Sequence, residues 1–162
     1  MIENRQKTVA VIGGGAAGMM AAIHAAYSGA RVMMFEKNDR LGKKLKITGK
    51  GRCNVTNDCS TNEFLTNVPT NPRFLYAALN RFSTADTMDF FEGCGVPLKV
   101  ERGKRVCPVS DRAADIVNAL ADRCRDCGVE VVHDKITGID IDGGTKEGRR
   151  SVTVWPARRA NL

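Results

Sequence analysis

Apolar positions along the chain fall into a few clear patterns. Residues 8–13 (TVAVIG) are a β-branched apolar run ending in glycine, the pattern of a strand buried on both faces in a parallel sheet. From Ala16 to Ser28 the chain is rich in Ala and Met and lacks proline. Gly29 closes that stretch, so it reads as a helix. Arg31–Glu36 (RVMMFE) repeats the buried-strand pattern. Strand, helix and strand within roughly 30 residues make a βαβ unit, whose crossover is expected to be right-handed.

The next stretch, Asn38 to Ser60, has little periodicity. It carries Gly42, Gly49, Gly51 and a lysine cluster, and reads as a long functional loop with at most one helical turn. Pro72–Arg81 predicts a helix with Phe74, Leu75, Ala78, Leu79 and Phe82 on its apolar face. Ser83 with Asp86 three residues on fits a capped start for a helix through Phe91, stopped by Gly93 and Gly95. Leu98–Val100 and Arg105–Val109 alternate around ERGK and predict a β-hairpin. Ser110 is placed to cap a helix over Arg112–Cys127, with Ile116, Val117, Leu120 and Cys124 as its buried stripe. Gly128 ends it, Val129–Val132 reads as a third buried strand, and Ile136–Ile141 starts an antiparallel excursion. The expected fold is α/β, Rossmann-like, on a parallel central sheet and incomplete at the C-terminus.

Composition bounds the class without changing it. The 162 residues are 43% hydrophobic and 27% charged, as in an ordinary globular domain. Met1–Thr8 is polar and the apolar run after it breaks into glycines, so neither a signal peptide nor a membrane span is expected, and the cytoplasm is the expected compartment. The six cysteines are scattered, which suits free thiols in a reducing compartment. A formal charge of +7 suits a phosphate-bearing cofactor or nucleic acid, and equally a charge carried for solubility.

Gly13-Gly-Gly-Ala-Ala-Gly18 satisfies G-x-G-x-x-G between a strand and a helix. Gly13 allows the tight turn, Gly15 lets backbone approach a pyrophosphate, and Gly18 removes a side chain where helix and strand touch. The helix start then points N–H groups and partial positive charge at phosphates. Glu36 closes the second strand, where a carboxylate can accept both hydroxyls of an adenosine ribose and repel a 2′-phosphate. FAD or NAD is therefore favoured over NADP, although Lys37 beside it works against that preference.

The stretch Leu41–Asn57, LGKKLKITGKGRCNVTN, closely resembles the signature of the BaiN/RdsA-type (aminoacetone oxidase-like) flavoproteins, with Lys50 where glycine often stands. ERGKRVCPVSD from Glu101 and the strand after Gly128 extend the likeness over residues 8 to about 141. The resemblance implies an FAD-dependent oxidoreductase, with NAD(P)H as electron donor. It implies that Gly13, Gly15, Ala16, Ala17 and Gly18 line the pyrophosphate and that Glu36 with Lys37 holds the ribose. Lys44 and the loop of Gly49, Gly51, Arg52, Cys53 and Asn54 would face the diphosphate and flavin, and Val132 would offer backbone to adenine. Positive charge near the flavin N1–C2 edge favours the anionic reduced form; Arg52 fits that role, or that of a phosphate clamp. The implied reactions are reduction of a carbon–carbon double bond, in a steroid-like acid or a ribosomal RNA uridine, or oxidation of a small amine.

Other signals add little. Cys124-x-x-Cys127 lies at a helix end, where no dipole lowers a thiol pKa, and no second pair completes a zinc site. Cys53 falls inside the loop expected near the flavin and reads as a small residue packed under the cofactor. His24 and His133 have no evident partner, and no residue is assigned to catalysis. The lysine run 43–50 could touch RNA, but lacks interleaved aromatics. Family members are longer, with an inserted substrate domain and an Ala-Thr-Gly-Gly strand end. The expectation is thus a truncated member: residues 1–144 form the FAD-binding part, residues 145–162 a divergent basic tail, and the substrate domain is absent. The alternative is a non-catalytic nucleotide- or RNA-binding Rossmann module.

Overall fold

A computed structural model describes residues 6–141 and 152–157. The chain divides into two compact units, 1–43 with 121–162, and 44–120.

In the first unit, β1 (Thr8–Ile12), α1 (Ala16–Tyr27) and β2 (Arg31–Phe35) form the expected βαβ start. β6 (Glu130–Val132) completes a parallel sheet in the order β1-β2-β6. Thr8 pairs with Arg31 and Ile12 with Phe35, while Phe35 pairs with Val132 on the other side. The middle strand is buried through Val32, Met34 and Phe35, against Met19, Ala22 and Ile23 of α1. Burial of β1 and β6 on both faces is not borne out. Ile12 is 49% exposed and Val131 is exposed as well. The physical reason is position. Each is an outer strand of this sheet, so its apolar run records what a neighbour could cover rather than what is covered. The excursion at Ile136 is β7 (Ile136–Ile141), paired antiparallel with β8 (Val152–Pro156). A strand thus stands within 145–162, the stretch expected as a divergent basic tail; apart from Ala157, the rest of that stretch lies outside the described residues.

The second unit holds the antiparallel sheet β3-β5-β4, made by β3 (Thr56–Asn57), β4 (Leu98–Glu101) and β5 (Arg105–Pro108). The expected hairpin pairs Leu98 with Pro108 and Glu101 with Arg105. Short helices α2 (Thr61–Thr66), α3 (Tyr76–Arg81) and α4 (Thr84–Gly93) accompany it. α4 starts on the predicted capping box: Ser83 accepts from the Asp86 N–H and Asp86 from the Ser83 N–H. The helix read at Pro72–Arg81 is instead a 3-10 turn, Pro72–Leu75, followed by α3. Three residues per turn moves the supposed apolar face, and Phe74 is 79% exposed. α5 (Ala113–Asp126) begins in this unit, with Ile116, Val117 and Leu120 buried as its stripe requires. Ser110 Oγ accepts from Arg112 N–H at 3.3 Å, just before the helix. Cys124, in the part of α5 belonging to the first unit, is fully buried and donates to Met19 O at 3.7 Å.

Candidate functional site

The turn after β1 is built as its glycines require. Gly13 has φ +103°, a conformation only glycine adopts freely, and its N–H donates to Phe35 O at 2.8 Å. A Cβ on Gly18 would lie 1.8 Å from Gly13 O, so helix and turn touch there as the motif predicts. Gly15 is the N-cap of α1 and offers no side-chain cap, which leaves the first-turn N–H groups without a side-chain acceptor. Ala16 is half-buried, and Gly15 and Ala17 are exposed.

Glu36 points at this turn. Its Oε2 accepts from Gly14 N–H at 2.7 Å, and Oε1 accepts from Asn38 N–H at 2.8 Å and from the Asn38 amide. The side chain is only 7% exposed. Burial pushes its carboxyl up, but the Asn38 N–H, the Gly14 N–H, the Asn38 amide and the Lys37 charge together hold it below its ordinary value. Lys37 itself is exposed. Neither Gly14 nor Asn38 stood out in the sequence. Gly14 occupies a variable motif position, yet a Cβ there would sit 2.3 Å from Leu41 Cδ2 and 3.2 Å from Glu36 Oε2. His133, expected to lack a partner, places Nδ1 2.7 Å from Asn38 O. At the end of β6, Val132 O accepts from both Glu36 N–H (2.9 Å) and Asp134 N–H (3.0 Å). A carbonyl has two lone pairs, so both of its acceptor sites are taken within the chain.

The loop of the second unit has a distinct backbone. Leu45–Gly51 is a kinked 3-10 segment, and Gly49, Lys50, Gly51 and Cys53 all have positive φ. Two of these are not glycine, a strain on the order of 1–3 kcal/mol each that structures keep mainly at functional sites. Arg52 in the right-handed region followed by Cys53 at φ +59° turns successive N–H groups to one side, the geometry of an anion nest. Lys44 and Gly49 are exposed, Gly51 is half-buried and Cys53 is 2% exposed. Burial pushes the Cys53 thiol up, a bond with the Thr48 side chain partly offsets this, and Cys107 adds to the rise. With its amide turned so that nitrogen rather than oxygen faces these carbonyls, Asn54 donates to Thr56 O at 2.9 Å and Val106 O at 3.2 Å, which ties the loop to β5.

Arg52 is held in an ion cluster of its own unit. Its guanidinium donates to Asp111 Oδ1 at 2.7 Å and to Glu101, while Lys99 Nζ reaches Asp111 Oδ2 at 2.8 Å. The bond to Asp111, then that to Glu101, pushes the Arg52 pKa up. The Lys99 and Arg52 contacts hold Asp111 below the usual carboxylate range. All six cysteines are in the thiol form. Among the described residues no cluster of His, Cys, Asp and Glu could hold a metal ion, and no helix is long and apolar enough to cross a membrane.

A parallel βαβ start with a glycine turn and a carboxylate closing the second strand defines a Rossmann-type nucleotide-binding domain. Residues 7–153 match the HI0933-like protein Rossmann domain, and the chain belongs to that family. The match runs past Gly144 into β8, so the likeness extends beyond the boundary read from sequence. The chain is 35% identical over 141 residues to the 3-dehydro-bile acid delta(4,6)-reductase of Clostridium scindens, covering 83% of this chain and 32% of that protein. It is 34% identical over 116 residues to the ribosomal RNA dihydrouridine synthase of Escherichia coli, covering 70% and 28%. The chain thus spans about a third of the length of these relatives. Its fold is like that of the 3-ketosteroid-delta4-(5alpha)-dehydrogenase of Rhodococcus jostii RHA1, with a TM-score of 0.63 at 15% identity, covering 94% of this chain and 45% of that one.

Proposed function

We propose that this chain is the nucleotide-binding part of an FAD-dependent oxidoreductase. The observation that carries the reading is the bond from Gly14 N–H to Glu36 Oε2, which sets the ribose carboxylate beside the pyrophosphate turn. The turn fits a dinucleotide. A Cβ built on Gly13 or Gly15 meets nothing within 4 Å, so the backbone there is open to a phosphate.

In this reading Gly13, Gly15, Ala16, Ala17 and Gly18 present the N–H groups of the α1 start to the pyrophosphate. Glu36 accepts from the ribose, and Lys37 adds positive charge nearby. In their own unit, Lys44, Gly49, Gly51, Arg52, Cys53 and Asn54 keep the diphosphate- and flavin-facing role that the family resemblance gives them, supported by the nest at Arg52–Cys53. Shared between two carboxylates, Arg52 acts first to hold that loop, and its field toward a flavin is damped. Val132, at the end of β6, keeps the adenine-facing place that the family resemblance gives it. Bound FAD would supply two-electron redox chemistry, and the protein would supply placement and electrostatics. NAD(P)H is the proposed electron donor. The names of the two relatives, a reductase and a dihydrouridine synthase, favour reduction of a carbon–carbon double bond as the reaction class.

Titration of the purified chain with FAD tests this. The expected result is a yellow complex of one flavin per chain that survives desalting, melts higher than the free chain and is competed by ADP. A colourless chain after desalting, with a melting temperature indifferent to FAD, overturns it.

A further inference from the structure

Three residues beyond β2, Asn38 gives Glu36 two of its three hydrogen bonds. Its N–H donates to Oε1 at 2.8 Å and its side-chain amide to the same oxygen, while Gly14 N–H takes Oε2 at 2.7 Å. A carboxylate has about four lone-pair sites, two on each oxygen. Oε1 is therefore full, and one acceptor site remains, on Oε2. Asn38 is braced in turn: His133 Nδ1 lies 2.7 Å from its carbonyl oxygen. Lys37 is the charged neighbour whose field acts on Glu36.

We propose that Asn38 is a specificity-determining positioning residue: by filling Oε1 it makes Glu36 accept one hydroxyl of an adenosine ribose rather than both. The inference rests on the reading of Glu36 as the ribose carboxylate, and it says how that carboxylate discriminates among nucleoside diphosphates. A Glu36 that gripped the diol with both oxygens would need 2′- and 3′-hydroxyls equally. With Oε1 closed, the site depends on one of them.

The experiment measures dissociation constants of ADP, 2′-deoxy-ADP and 3′-deoxy-ADP by calorimetry on the whole chain. The wild-type chain is expected to bind one deoxy analogue about tenfold more weakly than ADP and the other within about twofold, because a hydrogen bond to a charged acceptor is at stake in only one case. Asn38→Ala opens a site on Oε1, and both analogues should then lose affinity alike. Asn38→Asp keeps the shape but replaces the donor with a second carboxylate beside Glu36. It should bind ADP more weakly at about pH 8 and recover toward about pH 6, as a shared proton restores the donor. The recovery is read as the ratio to the wild-type affinity at each pH, since the terminal phosphate of ADP itself gains a proton over that range. Equal losses for both analogues in the wild-type chain, an Asn38→Ala pattern identical to wild type, or an Asn38→Asp chain without pH recovery each overturn the inference. Failure of the wild-type chain to bind ADP at all sinks the reading of Glu36 itself, whereas binding with equal losses removes only the role of Asn38.

Discussion

Single residues at the glycine turn separate what the sequence could say from what it could not. Gly18 was legible because its requirement is steric and sits at a fixed motif spacing. Gly18→Ala would place a methyl 1.8 Å from the Gly13 carbonyl oxygen, backbone that cannot swing aside. We expect destabilisation on the order of 3 kcal/mol, read as a lower urea midpoint; an unchanged midpoint contradicts the packing described. Gly14 and Asn38 were not legible as parts of the site, since what requires them is the Glu36 side chain rather than a pattern in their own neighbourhood. Glu36 also carries a pH signature. Its folded-state pKa lies below the ordinary 4.5, so its stabilising contribution is complete above that value and is lost as pH falls through the lower folded value. Unfolding midpoints of the native chain should therefore decline more steeply below about pH 4.5 than those of Glu36→Gln. Parallel acid limbs for the two chains would contradict this.

Among the elements, legibility followed the presence of local chemistry. The start of α4 could be read because Ser83 and Asp86 satisfy each other's backbone partners within one turn. Ser83→Ala should cost about 1 kcal/mol in denaturant melts, and a loss below a few tenths would mean that water replaces the cap. The 3-10 turn at Pro72 and the left-handed positions at Gly49, Lys50, Gly51 and Cys53 were not readable. The first mimics helical spacing over too few residues, and the second has no hydrophobic period at all. The ion cluster of Arg52, Glu101, Lys99 and Asp111 joins residues far apart in sequence, so nothing local announced that Arg52 would be neutralised.

For the molecule as a whole, the α/β class and the parallel sheet followed from the alternation of strand and helix, while burial did not. The apolar runs of β1 and β6 looked like interior strands, but strand order puts both on the outside of their sheet. Thiol reactivity reports on burial across the whole chain. Cys53, Cys107 and Cys124 are buried, whereas Cys59, Cys94 and Cys127 are half-buried. Burial, and then the neighbouring Cys127, pushes the Cys124 thiol up to about 11. Cys59, Cys94 and Cys127 should react with a disulfide reagent in the folded chain, Cys59 more slowly because burial pushes its thiol up, and the other three only on unfolding. Six fast thiols would mean that neither core persists in solution.

The contrast between Gly15 and Gly18 separates two kinds of selection. Position 15 sits at φ −82°, ψ −175°, where any L-residue is comfortable, with open space around its missing Cβ. A library randomised at both codons and sorted only for folded protein should drift away from glycine at 15 and keep it at 18. Sorting the same library for nucleotide capture should bring glycine back at 15, which would show that the demand for it comes from the guest and not from the chain.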